Sequence, residues 1–367
     1  MEKKIETTNN KYLYLEVIRI IACFFVVFNH TGDYGFSAFC KEPVGSVAFW
    51  IYMIPSVFCK FSVPIFFAIS GALMLNRPEE SLKKTWGRVL KIVIILAVFS
   101  LGYSAYDVYK SETAVFSLKN FLIALYSKKL KYHLWYLYQY IGYLIVLPFL
   151  KAIVKNLEDK YFYYMFGLAI LFSGLIPTIE YLTNNGEYAM NAYLKPAWLL
   201  GNTVLYPCLG YFMHHRLDLD AIKKKLPILW GANAVAIAIT CYMTHKKGVQ
   251  MNVFSEAKSQ DFHIYFVAIN CVAIFLTIRY IFERIKVPRL CEKIILSLGA
   301  CTFGIYLWHV FFRKHELFLT ITEQFYDWGW NRLLVGFVMT FLVMLLSYIT
   351  TFVMAQVPGL RKLVGFK

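Results

Sequence analysis

Apolar stretches of about the length that crosses a 30 Å hydrocarbon core, roughly 20 residues of helix, recur along the whole of this chain. They fall at about 13–31, 46–75, 88–109, 134–151, 162–182, 197–213, 226–244, 262–283, 294–312 and 333–356. With 59% hydrophobic and only 16% charged residues among 367, the chain has too little polar surface for a soluble globular domain. In lipid only helices and closed barrels satisfy every backbone polar group, and these runs are continuous instead of alternating. The expectation is an all-α integral membrane protein, a bundle of about ten transmembrane helices. The second stretch is too long for one straight crossing, and Lys60 with Pro64 divides it into a lead-in helix and a spanning helix.

A net charge of +16 raises the question of nucleic acid, but the basic residues sit in short clusters between apolar runs and form no single basic stripe. Membrane topology accounts for them. With the N-terminus in the cytoplasm, the inner segments hold Lys3, Lys4 and Lys11, then Arg77 to Lys91, Lys151 to Lys160, Arg216 to Lys225, Arg279 to Lys293, and Arg361 to Lys367. Most of the 38 Lys and Arg then lie inside, against a basic outer stretch from Lys110 to Lys131, so both termini are placed in the cytoplasm.

The chain reads as one membrane domain over 1–367, with short cytoplasmic tails at 1–12 and 357–367. There is no internal repeat, low-complexity segment or linker. The first apolar run is long, carries Glu16 and Arg19 and lacks a small-residue cleavage site, so it reads as a retained anchor. The eight cysteines are scattered and no His/Cys cluster has metal-ligand spacing, so neither a disulfide framework nor a metal is expected. The longest outer segments, about 110–132, 183–196 and 245–261, are polar enough to meet a ligand, or simply to be solvated connections.

Polar groups inside the apolar runs carry the functional signal. The first run, LEVIRIIACFFVVFNH, contains Glu16, Arg19 and His30. An Arg, Lys or Asp at a helix centre costs about 2.5–3.5 kcal/mol on insertion scales, so such groups normally face a cavity or a partner. Glu16 and Arg19 are spaced i,i+3 and can pair. Arg19 and His30 are eleven residues apart, which at about 100° per residue returns to within roughly 20° of one direction, with His30 about 16 Å higher. All three are predicted to face one groove; the plainer alternative is that Arg19 snorkels inward and His30 meets the outer headgroups.

Two further histidines are predicted at the outer ends of spans. His133 precedes Trp135 at the start of the fourth, and Tyr306 and His309 share one face of the ninth. Such residues are also ordinary interfacial anchors. Their common depth with His30 suggests acceptor binding by His133, Trp135, Tyr306 and His309. On the inner side, Lys83, Lys84, Arg88 and Lys91 satisfy the positive-inside rule and equally suit a phosphorylated cofactor.

These features resemble acyltransferase family three, multi-span enzymes that O-acylate sugars and cell-envelope polymers. The resemblance runs from YLEVIRIIACFFVVFNH through FSVPIFFAISGALML and GRVLKIVI to HLWYL and GIYLWH. Arg19 and His30 meet the family's basic residue, ten residues, then His; Ser70 and Gly71 meet its Ser-Gly. Its Arg-x-x-Arg at the third span is met by Arg88 and Lys91, and the Lys forgoes the bidentate phosphate contact an Arg would make. The family implies acyl-coenzyme A as donor, most often acetyl, bound at Arg88 and Lys91. It implies a glycan or envelope-polymer acceptor outside the cytoplasmic membrane, and leaves association with polysaccharide-assembly proteins open. Lipid is the remaining expected partner, and nucleic acid is not expected.

Transfer from a thioester to an alcohol needs a base for the hydroxyl proton and a positive group for the tetrahedral intermediate. His30 is the predicted base, since an ordinary imidazole is largely neutral at pH 7. Arg19 cannot act as a base, and with Glu16 it is assigned to organising the groove or fixing the donor arm. The main rival is a transporter or flippase for an envelope glycan or lipid-linked sugar, because intramembrane charges also mark transport paths. A scaffold for a glycan synthase is a third reading.

Overall fold

The structure, a computed structural model, describes residues 3–111, 115–128, 130–251, 254 and 262–366, with side chains from Leu13 onward. The side chains of Lys3, Lys4 and Lys11 and most of the expected outer loop at 245–261 lie outside the described residues. Among those described there is helix and no strand. The main helices are α1 (Lys3–Phe28), α2 (Val47–Phe58), α3 (Ser62–Met74), α4 (Leu82–Lys110), α5 (Leu118–Ser127), α6 (Trp135–Asn156) and α7 (Asp159–Ile170). They continue with α8 (Ile176–Asn184), α9 (Leu205–His215), α10 (Leu219–Met251), α11 (Val267–Phe282), α12 (Arg289–Arg313), α13 (Glu316–Asp327) and α14 (Arg332–Gln356).

Each of the ten expected stretches holds helix, and among the described residues seven segments are long and apolar enough to cross a membrane. The other three fall short in length. Of α1, 16 residues (13–28) are described with their side chains, α9 has only 11 residues and α11 has 16. The second stretch breaks as its sequence predicts. A 3₁₀ turn at Cys59–Phe61 separates α2 from α3, and Pro64 falls in the first turn of α3, where its missing N–H costs no helical hydrogen bond. Broad apolar faces remain exposed, as on α4 at Leu90, Val93, Ile94, Val98 and Leu101. A water-soluble protein could not leave them so.

The chain forms two compact units, one of Met1–Met74 with Leu157–Lys367 and one of Leu75–Asn156. In the first, α1 is the central element. Leu13, Tyr14, Leu15, Ile18, Ala22, Cys23, Val26, Val27 and Phe28 are all buried, on several faces of the helix, and α1 packs against α3, α11, α12 and α14. Helix α3 crosses α9 so closely that a Cβ on Gly71 would run into the backbone of Pro207, and one on Gly210 into the backbone of Ala68. That crossing explains the glycine of the Ser-Gly pair by packing. Ser70 itself bonds back to the Phe66 carbonyl at 2.9 Å.

In the second unit α4, α5 and α6 pack on one another, and the buried Lys151 donates to the Pro78 carbonyl at 3.1 Å.

Candidate active site

The geometry around His30 begins with the way α1 ends. Past Phe28 the chain tightens into i→i+3 bonds, His30 N to Val27 O and Thr31 N to Phe28 O, each at 3.0 Å. Thr31 Oγ1 donates to the Phe28 carbonyl at 2.7 Å and accepts from Phe36 N at 2.9 Å. Gly32, at φ +61°, then turns the chain in a conformation open to glycine. His30 therefore sits one turn beyond the regular helix, and the expected 100° spacing applies only as far as Phe28.

The His30 ring lies on the ring of His309, with centroids 5.1 Å apart and planes 29° from parallel. His309 is fully buried on α12, its Nδ1 bonded to the Tyr306 carbonyl at 2.6 Å, and the Tyr306 ring follows at 6.0 Å. The structure thus brings His30 and His309 together, with Tyr306 beside His309.

Two cations that sequence reading did not assign to the site hold this turn. Arg313, at the end of α12, donates from Nη1 to the His30 carbonyl. Lys60, in the 3₁₀ turn between α2 and α3, donates to Asn29 Oδ1 at 2.6 Å and lies 4.2 Å over the Phe36 ring. A cavity of about 30 Å³ opens beside Arg313, lined by Val27, Thr31, Tyr34, Phe318 and Thr322 among others. The loop after His30 rests on α14, where a Cβ on Gly336 would collide with Tyr34 and Gly35.

Lower on α1, Arg19 Nη1 donates to Glu16 Oε1 at 2.6 Å, so the i,i+3 pair forms. The other carboxylate oxygen of Glu16 is buried against Gly299 of α12 without a hydrogen bond. Both levels of α1 therefore face one neighbour: Glu16 meets Gly299 and His30 meets His309. Since the numbers rise together, α1 and α12 run in the same direction. Arg19 is about 13 Å below the end of α1 at Phe28 by helical rise, and Arg313 is a cation in contact with the His30 backbone.

Sequence reading also missed the polar groups beneath this stripe. The Tyr14 hydroxyl bonds to His214 Nδ1, and His215 Nε2 to the Ala72 carbonyl at 2.8 Å. Arg279, counted above only as a topological charge, is buried and closes the C-terminal carbonyls of α9. It donates to Met213 O, to Leu217 O at 2.9 Å and to Glu283 at 2.9 Å. Pairing across 62 or more residues leaves no local pattern to read.

Arg88, Lys91, His133 and Trp135 belong to the second unit. Arg88 is paired with Glu80 at 2.5 Å, and Lys84 reaches the same carboxylate at 3.3 Å. The Arg88 guanidinium, more than any other group, pulls the Glu80 carboxyl down to about 2. Lys91 is exposed one turn further along α4. His133 is buried in a 3₁₀ turn before α6, edge-on to Tyr103 at 4.9 Å, and Trp135 opens α6 half-buried. Among the described residues, no three His, Cys, Asp or Glu side chains are grouped to hold a metal.

Comparisons with curated proteins and with solved structures give no match. The sequence model of one protein family, described as an acyltransferase domain, matches residues 12–352, from the turn before Glu16 almost to the end of α14. The chain therefore belongs to acyltransferase family three.

Proposed function

We propose that the protein is an O-acyltransferase of the cytoplasmic membrane that moves an acyl group, acetyl foremost, from acyl-coenzyme A to a hydroxyl of an extracytoplasmic glycan or cell-envelope polymer. The observation that carries the reading is the His30 turn, with its ring on buried His309 and its backbone held by Arg313. An imidazole on a fixed turn suits proton transfer, which depends first on geometry. In the proposed reaction the acceptor hydroxyl gives its proton to the His30 imidazole and its oxygen attacks the thioester carbonyl. The carbon–sulfur bond then breaks, and the departing thiolate takes the proton back from the imidazolium. Arg313 is assigned the stabilisation of charge near His30, and Glu16 with Arg19 the lower wall of the groove. Arg88 and Lys91 are assigned to the donor's phosphates, and His133, Trp135, Tyr306 and His309 to the acceptor.

The parallel course of α1 and α12 supports the expected topology, in which the first and ninth of ten spans both run outward. On that topology the donor enters from the cytoplasm and only its acylated arm rises to His30. Right-side-out and inside-out vesicles, given labelled acyl-coenzyme A and a non-permeant acceptor on chosen sides, test the proposal. Transfer is expected only with donor inside and acceptor outside. Transfer confined to donor and acceptor on one side overturns the trans-membrane route, and movement of unmodified acceptor without label overturns the enzyme.

A further inference from the structure

A second site lies in the first unit, away from His30. Near the ends of α7, α9, α10 and α11 the helices leave a groove of about 300 Å³, walled by Phe162, Phe166, Leu209, Phe212, Val272 and Leu276 among others. Its lining is apolar except at Tyr163 and Lys225, whose ammonium lies 4.6 Å from the Tyr163 ring centroid. The contributing residues share one level: Phe162 and Lys225 come early in α7 and α10, Met213 and Leu276 late in α9 and α11. The groove therefore begins where the chain turns around and extends toward the middle of the bundle.

Charge at its mouth decides what fits. Lys223, Lys224 and Lys225 follow one another on α10, and the first two are exposed. The nearby carboxylates are engaged elsewhere. Asp159 faces Arg216 at 3.7 Å, Asp220 faces Arg284 at 3.5 Å, and Asp218 caps Ala221 N at 2.6 Å. Lys225 lines the groove and Lys224 stands one helical turn above the lining Ile228, whereas Lys223 projects from the far side of α10. Apolar walls below these two lysines match a molecule with hydrocarbon at one end and negative charge at the other. The amide-rich arm of a coenzyme thioester is a poor occupant, since its polar groups would lose water without gaining partners.

We infer that this groove holds one acyl chain of an anionic glycerophospholipid, with the phosphate at Lys224 and Lys225, in the leaflet at that end of the bundle. A basic residue beside an anionic membrane lipid contributes about 1 kcal/mol, about five-fold in affinity, so the two lysines set a clear preference over a zwitterionic headgroup. The inference is independent of the acyl-transfer proposal.

The test is native mass spectrometry of the intact protein released from nanodiscs containing equal phosphatidylglycerol and phosphatidylcholine. One retained phosphatidylglycerol in excess of phosphatidylcholine is expected. Replacing Lys224 and Lys225 by Gln should remove the preference while a chain is still retained. Leu229→Trp, filling the groove from its half-exposed wall, should release lipid of either kind. Equal retention of the two lipids by the unaltered protein overturns the proposal without recourse to any variant. An undiminished preference in the Gln variant, or undiminished retention in Leu229→Trp, does so as well.

Discussion

Arg313 donates a hydrogen bond to the backbone carbonyl of His30 across 283 residues of sequence. The carbonyl lies beyond the last helical turn of α1, where it has no helical partner of its own, and a guanidinium is a strong donor to such a group. One residue earlier, Lys60 takes the Asn29 side chain. The turn is thus held from α12 on one side and from the α2–α3 break on the other. The His30 ring stacks on that of His309.

Arg313→Gln should therefore lower kcat far more than it raises KM. Hydrogen bonds to charged groups contribute about 1.5–3 kcal/mol, so the expected loss is roughly 10- to 100-fold. Arg313→Lys should keep part of the rate, and added guanidinium should restore part of it to a smaller variant such as Arg313→Ala. Steady-state kinetics on protein of confirmed insertion decides this; a change in KM alone would move Arg313 out of the reacting centre.

His30→Ala should abolish most transfer, by about 10²- to 10⁴-fold, while expression and insertion stay near normal. His309→Phe keeps a ring against His30 but loses the bond to the Tyr306 carbonyl, so its loss should be smaller. Because the two rings touch, their effects should not add. The double variant is expected to be no slower than His30→Ala, and an additive loss would show that His309 acts apart from His30.

Glu80 and Arg88 give a pH dependence and a donor dependence with one origin. Glu80 is held near 2 against an ordinary value of 4.5, so its charge is favoured in the fold. The stabilisation is full above about pH 4.5 and is lost as pH falls toward 2. Glu80→Gln should flatten that part of a melting-temperature profile. The same change releases Arg88 for phosphate, so donor KM should fall, whereas Arg88→Ala and Lys91→Ala should raise it with little change in turnover. A higher donor KM in Glu80→Gln would mean that the pair only holds the loop before α4.

Much of this arrangement was legible in the chain because it rests on spacing within single segments. The i,i+3 distance of Glu16 and Arg19, the break at Lys60 and Pro64, and the shared face of Tyr306 and His309 are local quantities. The family itself was legible in the order of those segments. Arg313, Asn29, His214 and Arg279 escaped because their partners lie far along the sequence, and each reads locally as an interfacial residue.

Two glycines of the first unit should separate folding from function. At Gly71 an added methyl meets the backbone carbonyl of Pro207, which can move only if α3 and α9 part. Forcing extra volume into a packed core costs typically about 1–3 kcal/mol, and backbone-to-backbone contact belongs at or above the upper end of that range. Gly71→Ala should lower the melting temperature and the yield of folded protein, with activity per folded molecule less affected. At Gly299 the added methyl meets the Glu16 carboxylate, which ends a rotatable stem and can swing aside, and the Glu16 Cβ at 2.9 Å, which asks for a small shift of α1 against α12. Gly299→Ala should lose less stability than Gly71→Ala but disturb the 2.6 Å pair with Arg19, and so lose turnover. Melting curves and single-turnover rates on the same preparations compare the two. Unchanged turnover in Gly299→Ala, with Glu16 displaced, would reduce the Glu16–Arg19 pair to packing and leave His30, His309 and Arg313 as the working part of α1 and α12.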